Sequence, residues 1–275
     1  LAQMSVATAQ AHADDTGTTK SVPARRQMTI QDLMRHTAGV TYGSRGSSEF
    51  YKRYLSSSNL VAEEMTGPEF LQRLGLAGEA VSGQSRAAFL DARVFKPLAM
   101  ADSGVVVPPQ SAHRYARGLP CDPLTGKPQT MREGTLPHKF DCGGGCGVST
   151  AGDYLRFALM LLNGGVLDGA RILSRKTVEF MTADHMGPEI DTTRLREWPN
   201  INGYGFGLGV AVRRGAGGGG MPSSSGEFHW AGATGPYFWV DPTEELAVVF
   251  MAHAPGAVRF YNRQLLHALV LQALE

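Results

Sequence analysis

The sequence predicts an α+β fold: an antiparallel sheet flanked by helices, with a mostly helical lobe. Three observations lead there. Apolar residues recur at helical spacing in several segments up to about residue 185. From Tyr204 to Met251 the pattern changes to short alternating or continuously apolar runs bounded by turn residues. A final helical pattern then closes the chain. The expected organisation is a single domain over 1–275. Residues of about 29–185 form a mainly helical and irregular lobe, and 200–275 form the sheet and C-terminal helix. No internal repeat is seen.

The first helix starts at Thr29, where Thr29 and Asp32 have the spacing of a capping box ahead of Ile30, Leu33 and Met34. Gly39 is its stop signal. Gly43 to Ser48 reads as a loop. Pro68 suits a first helical position before Phe70, Leu71 and Leu74. Another helix is expected from about Ser85 to Phe95, with Phe89, Leu90 and Val94 inward, ended by Pro97. Residues 104–147, rich in Pro and Gly, read as irregular connections with short strands. Thr150 and Asp153 form a second capping box, opening a helix through Leu155, Leu159 and Leu162 that Asn163-Gly164-Gly165 closes. A short helix is expected from Ser174 to about Thr182.

Tyr204-Gly205-Phe206-Gly207-Leu208-Gly209-Val210 alternates large residues with glycine, as in a strand with another group lying close against one face. Gly215 to Ser225 is a low-complexity loop. Strands are expected at Glu227–Ala231, Tyr237–Val240 and Leu246–Met251, the last pair joined by the turn Asp241-Pro242-Thr243-Glu244-Glu245. The unbroken apolar run of the last strand suggests burial on both faces. The closing helix places Val258, Tyr261, Leu265, Leu269 and Gln272 at helical spacing.

Composition narrows the function. Hydrophobic residues make up 43% and charged residues 19%, a globular balance that excludes a mainly disordered chain. The net charge of +1 argues against a broad nucleic-acid surface. No apolar run approaches the ~20 residues of a spanning helix. Three cysteines cannot all pair with one another, so a disulfide scaffold is not expected and a reducing, cytoplasmic compartment fits better. The chain opens at Leu1, and Leu1 to Gln27 does not have the pattern of a signal peptide.

Spacing also tests reaction classes. His-Glu-x-x-His and Cys-x-x-Cys are absent, and Cys142 and Cys146 sit in a glycine run, so no metal is expected. No phosphate loop or dinucleotide fingerprint occurs, so no cofactor is expected. No Gly-x-Ser-x-Gly elbow occurs.

Four segments together resemble one family. Met28-Thr29-Ile30-Gln31-Asp32-Leu33-Met34-Arg35-His36-Thr37-Ala38-Gly39-Val40 is similar to the T-I-x-x-L-L-x-H-T-S-G-L segment of serine β-lactamase-like proteins. Phe95-Lys96-Pro97-Leu98-Ala99-Met100-Ala101-Asp102-Ser103 is similar to their I-x-x-P-L-G-M-x-D-T. The stretch from Gly144 to Phe157 resembles G-G-G-L-x-S-T-x-x-D-Y-x-R-F. Phe228-His229-Trp230-Ala231-Gly232-Ala233 resembles the W-x-G form of their third motif. The family includes class C β-lactamases, D-alanyl-D-alanine peptidases and family VIII carboxylesterases.

The resemblance implies hydrolysis of a small-molecule ester or amide through an acyl-enzyme. A Ser-x-x-Lys serine is the nucleophile, a lysine and a tyrosine take its proton, and two backbone N–H groups hold the oxyanion. It further implies that the Ala233 N–H is one oxyanion donor, that Gly232 admits the substrate to the backbone, and that Trp230 and Ala231 line the substrate pocket. Trp230 in place of the usual lysine points to an esterase. The competing reading of Trp230 and Phe228 is one face of a buried strand. Ser-x-x-Lys occurs nowhere in the sequence, and the tyrosine motif is missing between Leu74 and Glu79. The expectation is an incomplete form of such a hydrolase, or else an inactive homologue that binds peptide or acyl ligands, or a non-functional fragment. His36 is read as a helix-end residue bonding backbone groups, Ser149 and Thr150 as capping residues, and Tyr42 and Tyr204 as packing residues.

Overall fold

The computed structural model describes residues 9–13, 19–23, 29–35, 84–129, 133–137, 147–186, 203–217 and 221–274. His36, Gly39, Tyr42, the Gly43–Ser48 loop, the helix after Pro68 and the Cys142/Cys146 run lie outside them. The chain divides into two compact units, one of Leu1–Ala88 with Pro137–Cys146, the other of Phe89–Leu136 with Gly147–Glu275.

In the first unit, strands β1 (Ala9–Ala13) and β2 (Thr19–Pro23) form an antiparallel hairpin in which Ala11 faces Ser21. The sequence pattern gave no sign of it. Helix α1 (Ile30–Met34) follows with the expected capping box in full. Asp32 N–H donates to Thr29 Oγ1 at 3.1 Å and Thr29 N–H donates to Asp32 Oδ2 at 2.9 Å, so two donors that the helix itself cannot satisfy are paired.

Helix α2 (Arg86–Leu90) continues into a π-helical turn at Asp91–Phe95. Val94 packs on the core of the second unit, but Phe89, expected inward, is exposed. The connection that follows holds a 3₁₀ turn at Pro109–Arg114 and two isolated bridges, Gly104 with Val148 and Cys121 with Pro128.

Helix α3 (Ala151–Leu162) has Thr150 as its N-cap, with Asp153 N–H donating to the Thr150 hydroxyl at 3.2 Å. Only that half of the expected box forms. The Asp153 carboxylate instead accepts from Asp102 N–H at 2.7 Å and from the Ser103 hydroxyl at 2.9 Å, tying the helix start to a distant loop. Gly164 and Gly165 both take positive φ, which lets the chain turn sharply after the helix. It enters a two-strand hairpin, β3 (Val166–Leu167) and β4 (Ala170–Arg171), around Asp168-Gly169. Asp-Gly is a strong hairpin signal, passed over in the pattern above. Ser174 then caps α4 (Arg175–Met181), accepting from Thr177 N–H at 3.0 Å.

The sheet has five antiparallel strands in sequence order: β5 (Tyr204–Phe206), β6 (Ala211–Arg213), β7 (Phe228–Ala231), β8 (Tyr237–Asp241) and β9 (Leu246–Phe250). The glycine-alternating run is therefore a strand and a turn. Two of its three glycines have the expected reason: a Cβ on Gly205 would overlap the Asp184 carboxylate, and one on Gly207 the Met181 carbonyl. Strand β9, expected buried on both faces, is half-buried at an edge of this sheet.

Register assigns the two faces. Phe228, Trp230, Phe238, Val240 and Val212 share the face covered by α3, and with Leu98, Met160 and Leu161 they form the main core. The other face carries Arg213, His229, Tyr237 and Trp239 and is covered by α5 (Val258–Gln272). Three of the apolar residues expected on the inward side of α5, Tyr261, Leu265 and Leu269, are exposed, while Arg263 and His267 are buried. The buried polar side chains of this helix meet a carboxylate and a row of carbonyl oxygens on the sheet side.

Candidate functional site

Trp230 sits at the end of β7 on the α3 face. Its ring meets Phe206 edge-on, with centroids 5.2 Å apart, and packs on the core, so the buried-strand reading describes much of its surface. Ala231 pairs with Tyr237 in the ladder. Beyond them the chain turns through Gly232-Ala233-Thr234-Gly235-Pro236. Gly232 N–H donates to Pro236 O at 2.9 Å and Gly235 N–H to Gly232 O at 3.2 Å. A Cβ on Gly232 would come within 3.1 Å of the Pro236 ring, so this glycine lies against the proline.

All five carbonyl oxygens of the turn are bound. Arg263 Nη2 donates to Gly232 O and, at 3.1 Å, to Pro236 O, and its Nε lies 3.4 Å from Gly235 O. Arg259 Nη1 donates to Ala233 O at 2.9 Å. Ala254 N–H donates to Thr234 O at 2.6 Å. By contrast, the N–H of exposed Ala233 has no acceptor among the described residues. Burial pulls the Arg263 pKa down to about 10, helped by the neighbouring charge of Arg259, so it remains a cation at neutral pH.

Beneath the turn, on the same face, lies a buried polar network. Glu227 is fully buried and accepts hydrogen bonds from Tyr204 OH at 2.9 Å and from the Ser223 hydroxyl. Arg213 Nη1 in turn donates to Tyr204 OH at 3.1 Å. His267 Nε2 stands 3.2 Å from Glu227 Oε2, an ion-pair distance without hydrogen-bond alignment. His267 Nδ1 is 3.1 Å from Tyr237 OH. Trp239 stacks on the His267 ring at 4.5 Å and 10°. Burial pushes Glu227 up, but the approach of His267 and Ser223 outweighs it and holds the carboxyl below its usual range. Burial pushes His229 down to about 4, so it is neutral at pH 7. Tyr204 and Tyr237 are pushed up, chiefly by burial.

Tyr204 is thus more than a packing residue. Ser149 Oγ is 2.7 Å from Ser103 Oγ, a structural bond. The sequence reading missed Arg259, Arg263 and His267, although their four-residue spacing on one side of α5 was a usable signal. Among the described residues no group of three or more His, Cys, Asp or Glu side chains is placed to hold a metal, and no helix is long and apolar enough to cross a membrane.

An antiparallel sheet with a helix on each face and an arginine-pinned turn between β7 and β8 falls in the β-lactamase/transpeptidase fold class. A family model described as Beta-lactamase matches residues 19–272, and the chain belongs to that family. Protein Rv1367c of Mycobacterium tuberculosis is 30% identical over 262 residues, a match covering 85% of this chain and 64% of that protein. Among solved structures, simvastatin synthase (LovD) from Aspergillus terreus superposes with a TM-score of 0.71 at 17% identity, covering 98% of this chain and 75% of that one. EstCE1, a hydrolase with promiscuous acyltransferase activity, gives 0.65 at 21% identity, covering 90% and 72%. These likenesses establish a fold shared by serine hydrolases and acyltransferases.

Proposed function

We propose that this chain carries the oxyanion-binding half of an ester-directed acyl-transfer site, with the Ala233 N–H as donor. One observation supports it above others: at the position of the family's third motif, every carbonyl of the turn is bound while the Ala233 N–H is left without an acceptor among the described residues. A donor fixed before the reaction binds developing negative charge without reorganising, and losing one such donor typically costs ~10²–10³ in rate. Trp230 and Ala231 border the acyl group and Gly232 leads it to the backbone. The indole in place of an ammonium favours a neutral ester over an anionic β-lactam.

The attacking Ser-x-x-Lys is not among these 275 residues. The test is therefore a pair of proteins: this chain, and this chain joined behind a Ser-x-x-Lys-bearing segment from a family member. Both are exposed to a fluorophosphonate probe and to p-nitrophenyl acetate and butyrate. The expected result is serine-dependent labelling and hydrolysis in the joined protein only. A folded joined protein that neither labels nor hydrolyses overturns the reading. Labelling of the present chain alone would put a nucleophile within it and overturn the two-part assignment. The absence of both Ser-x-x-Lys and the tyrosine motif favours a second reading, an inactive homologue that binds acyl or peptide ligands at the same turn. Saturable binding of a short-chain ester without turnover in either protein is its signature.

A further inference from the structure

Arg263 is an unusual resident of a protein interior. It is 5% exposed, and the partners seen for its guanidinium are carbonyl oxygens. Burying a cation is costly, and neutral carbonyls compensate it less well than a carboxylate does. A Met or Leu would fill comparable space without that cost.

What the cation reaches is specific. Gly232 O and the Ala233 N–H belong to one peptide group. No peptide in the described chain is cis, so this one is planar and trans, and its N–H points opposite to its C=O. Drawing Gly232 O toward α5 therefore aims the Ala233 N–H away from α5. The same contact acts electronically. A cation and the Gly235 N–H both donate to Gly232 O, polarising the peptide and making its N–H a stronger donor. Arg259 holds the next peptide by Ala233 O, so both peptide planes flanking Ala233 are fixed from the same helix.

We infer that Arg263 is a positioning residue: by donating to Gly232 O, it orients the Ala233 N–H and raises its acidity toward an oxyanion. The inference deepens the acyl-transfer reading and rests on it for its biological meaning. Its physical content is measurable without turnover.

The test is solvent exchange of the Ala233 amide in the ¹⁵N-labelled full chain at fixed pH. Exchange of an exposed amide by hydroxide follows its acidity. In Arg263→Met the Ala233 rate is expected to fall about tenfold, the effect of one unit of lost acidity. In Arg263→Lys, which keeps a cationic donor near Gly232 O, it stays within about threefold of the parent. A purely structural arginine gives another pattern: its loss loosens the turn, and the Gly232, Ala233 and Gly235 amides all speed up together. That pattern, or an Ala233 rate in Arg263→Met within about twofold of the parent, overturns the proposal. Should Arg263→Met not fold, Arg263→Lys decides: a fall of Ala233 exchange beyond about threefold counts against the charge-donation account. In the joined protein, Arg263→Met is expected to lower kcat about 10²-fold with KM little changed. Absence of ester hydrolysis in the parent joined protein sinks the acyl-transfer reading and leaves the exchange result to judge Arg263. An unchanged Ala233 rate beside active hydrolysis sinks the role of Arg263 alone.

Discussion

Replacing Glu227 by alanine removes the hub of the buried network. Two hydroxyls, Tyr204 OH and Ser223 Oγ, lose their acceptor, and His267 loses the carboxylate 3.2 Å away. Hydrogen bonds to a charged group contribute about 1.5–3 kcal/mol each, so the two together amount to about 3–6 kcal/mol. Part of this is returned because a fully buried carboxylate no longer has to be desolvated. The expected net loss is about 3–5 kcal/mol, the range seen when one partner of a buried charged cluster is deleted. Glu227→Gln keeps an acceptor oxygen and is expected to cost about 1–2 kcal/mol. The assay is urea unfolding followed by tryptophan emission, in which Glu227→Ala lowers the midpoint by about 1–2.5 M if the slope is near 2–3 kcal/mol/M. A loss below about 1 kcal/mol for Glu227→Ala would refute the claim that this carboxylate organises the sheet beneath α5.

Acid is expected to destabilise the same region. His229 has a folded pKa of about 4 against the ordinary 6.5, so the unfolded chain takes up its proton first as the pH falls. Its stabilising contribution is whole above 6.5, declines toward 4, and amounts to about 3 kcal/mol. Glu227, held below its usual range, adds a second decline at more acidic pH. Stability measured against pH in His229→Phe should lack the first decline, and an unchanged profile would rule His229 out as its source. Gly235 has φ of +122° with an added Cβ only 3.0 Å from the Ala252 carbonyl, so Gly235→Ala is expected to cost about 1–3 kcal/mol by thermal unfolding. Thr150→Ala removes the α3 cap and is expected to cost about 1 kcal/mol in the same measurement; no change would mean that water replaces the hydroxyl.

Strands β7 to β9 were legible in the sequence because they are short, largely apolar and separated by turn signals, whereas β6 (Ala211–Arg213) was not expected. The β8–β9 turn shows why: Asp241 Oδ1 accepts from Thr243 N–H at 3.0 Å and Glu244 N–H at 3.3 Å, local bonds that the Asp-Pro-Thr-Glu string encodes. The Thr29/Asp32 capping box and the Thr150 cap were legible for the same reason. What could not be read were partnerships set by tertiary structure. Asp153 abandons its helix for Asp102 and Ser103 across about 50 residues. The orientation of α5 was hidden because apolar spacing marks the inward side only when the facing surface is itself apolar, and here that surface needs cations and imidazole. The turn at Gly232–Pro236 was legible as a motif, but its arginine support came from a helix more than 20 residues further along.

The stacking of Trp239 on His267 gives the molecule an optical gauge of its own. An indole held parallel to an imidazole responds in emission to that ring's charge and distance, so any displacement of α5 from the sheet changes the light the protein gives off. Because α5 also holds Arg259 and Arg263, one fluorescence trace would follow, without added label, how firmly the Gly232–Pro236 turn is gripped.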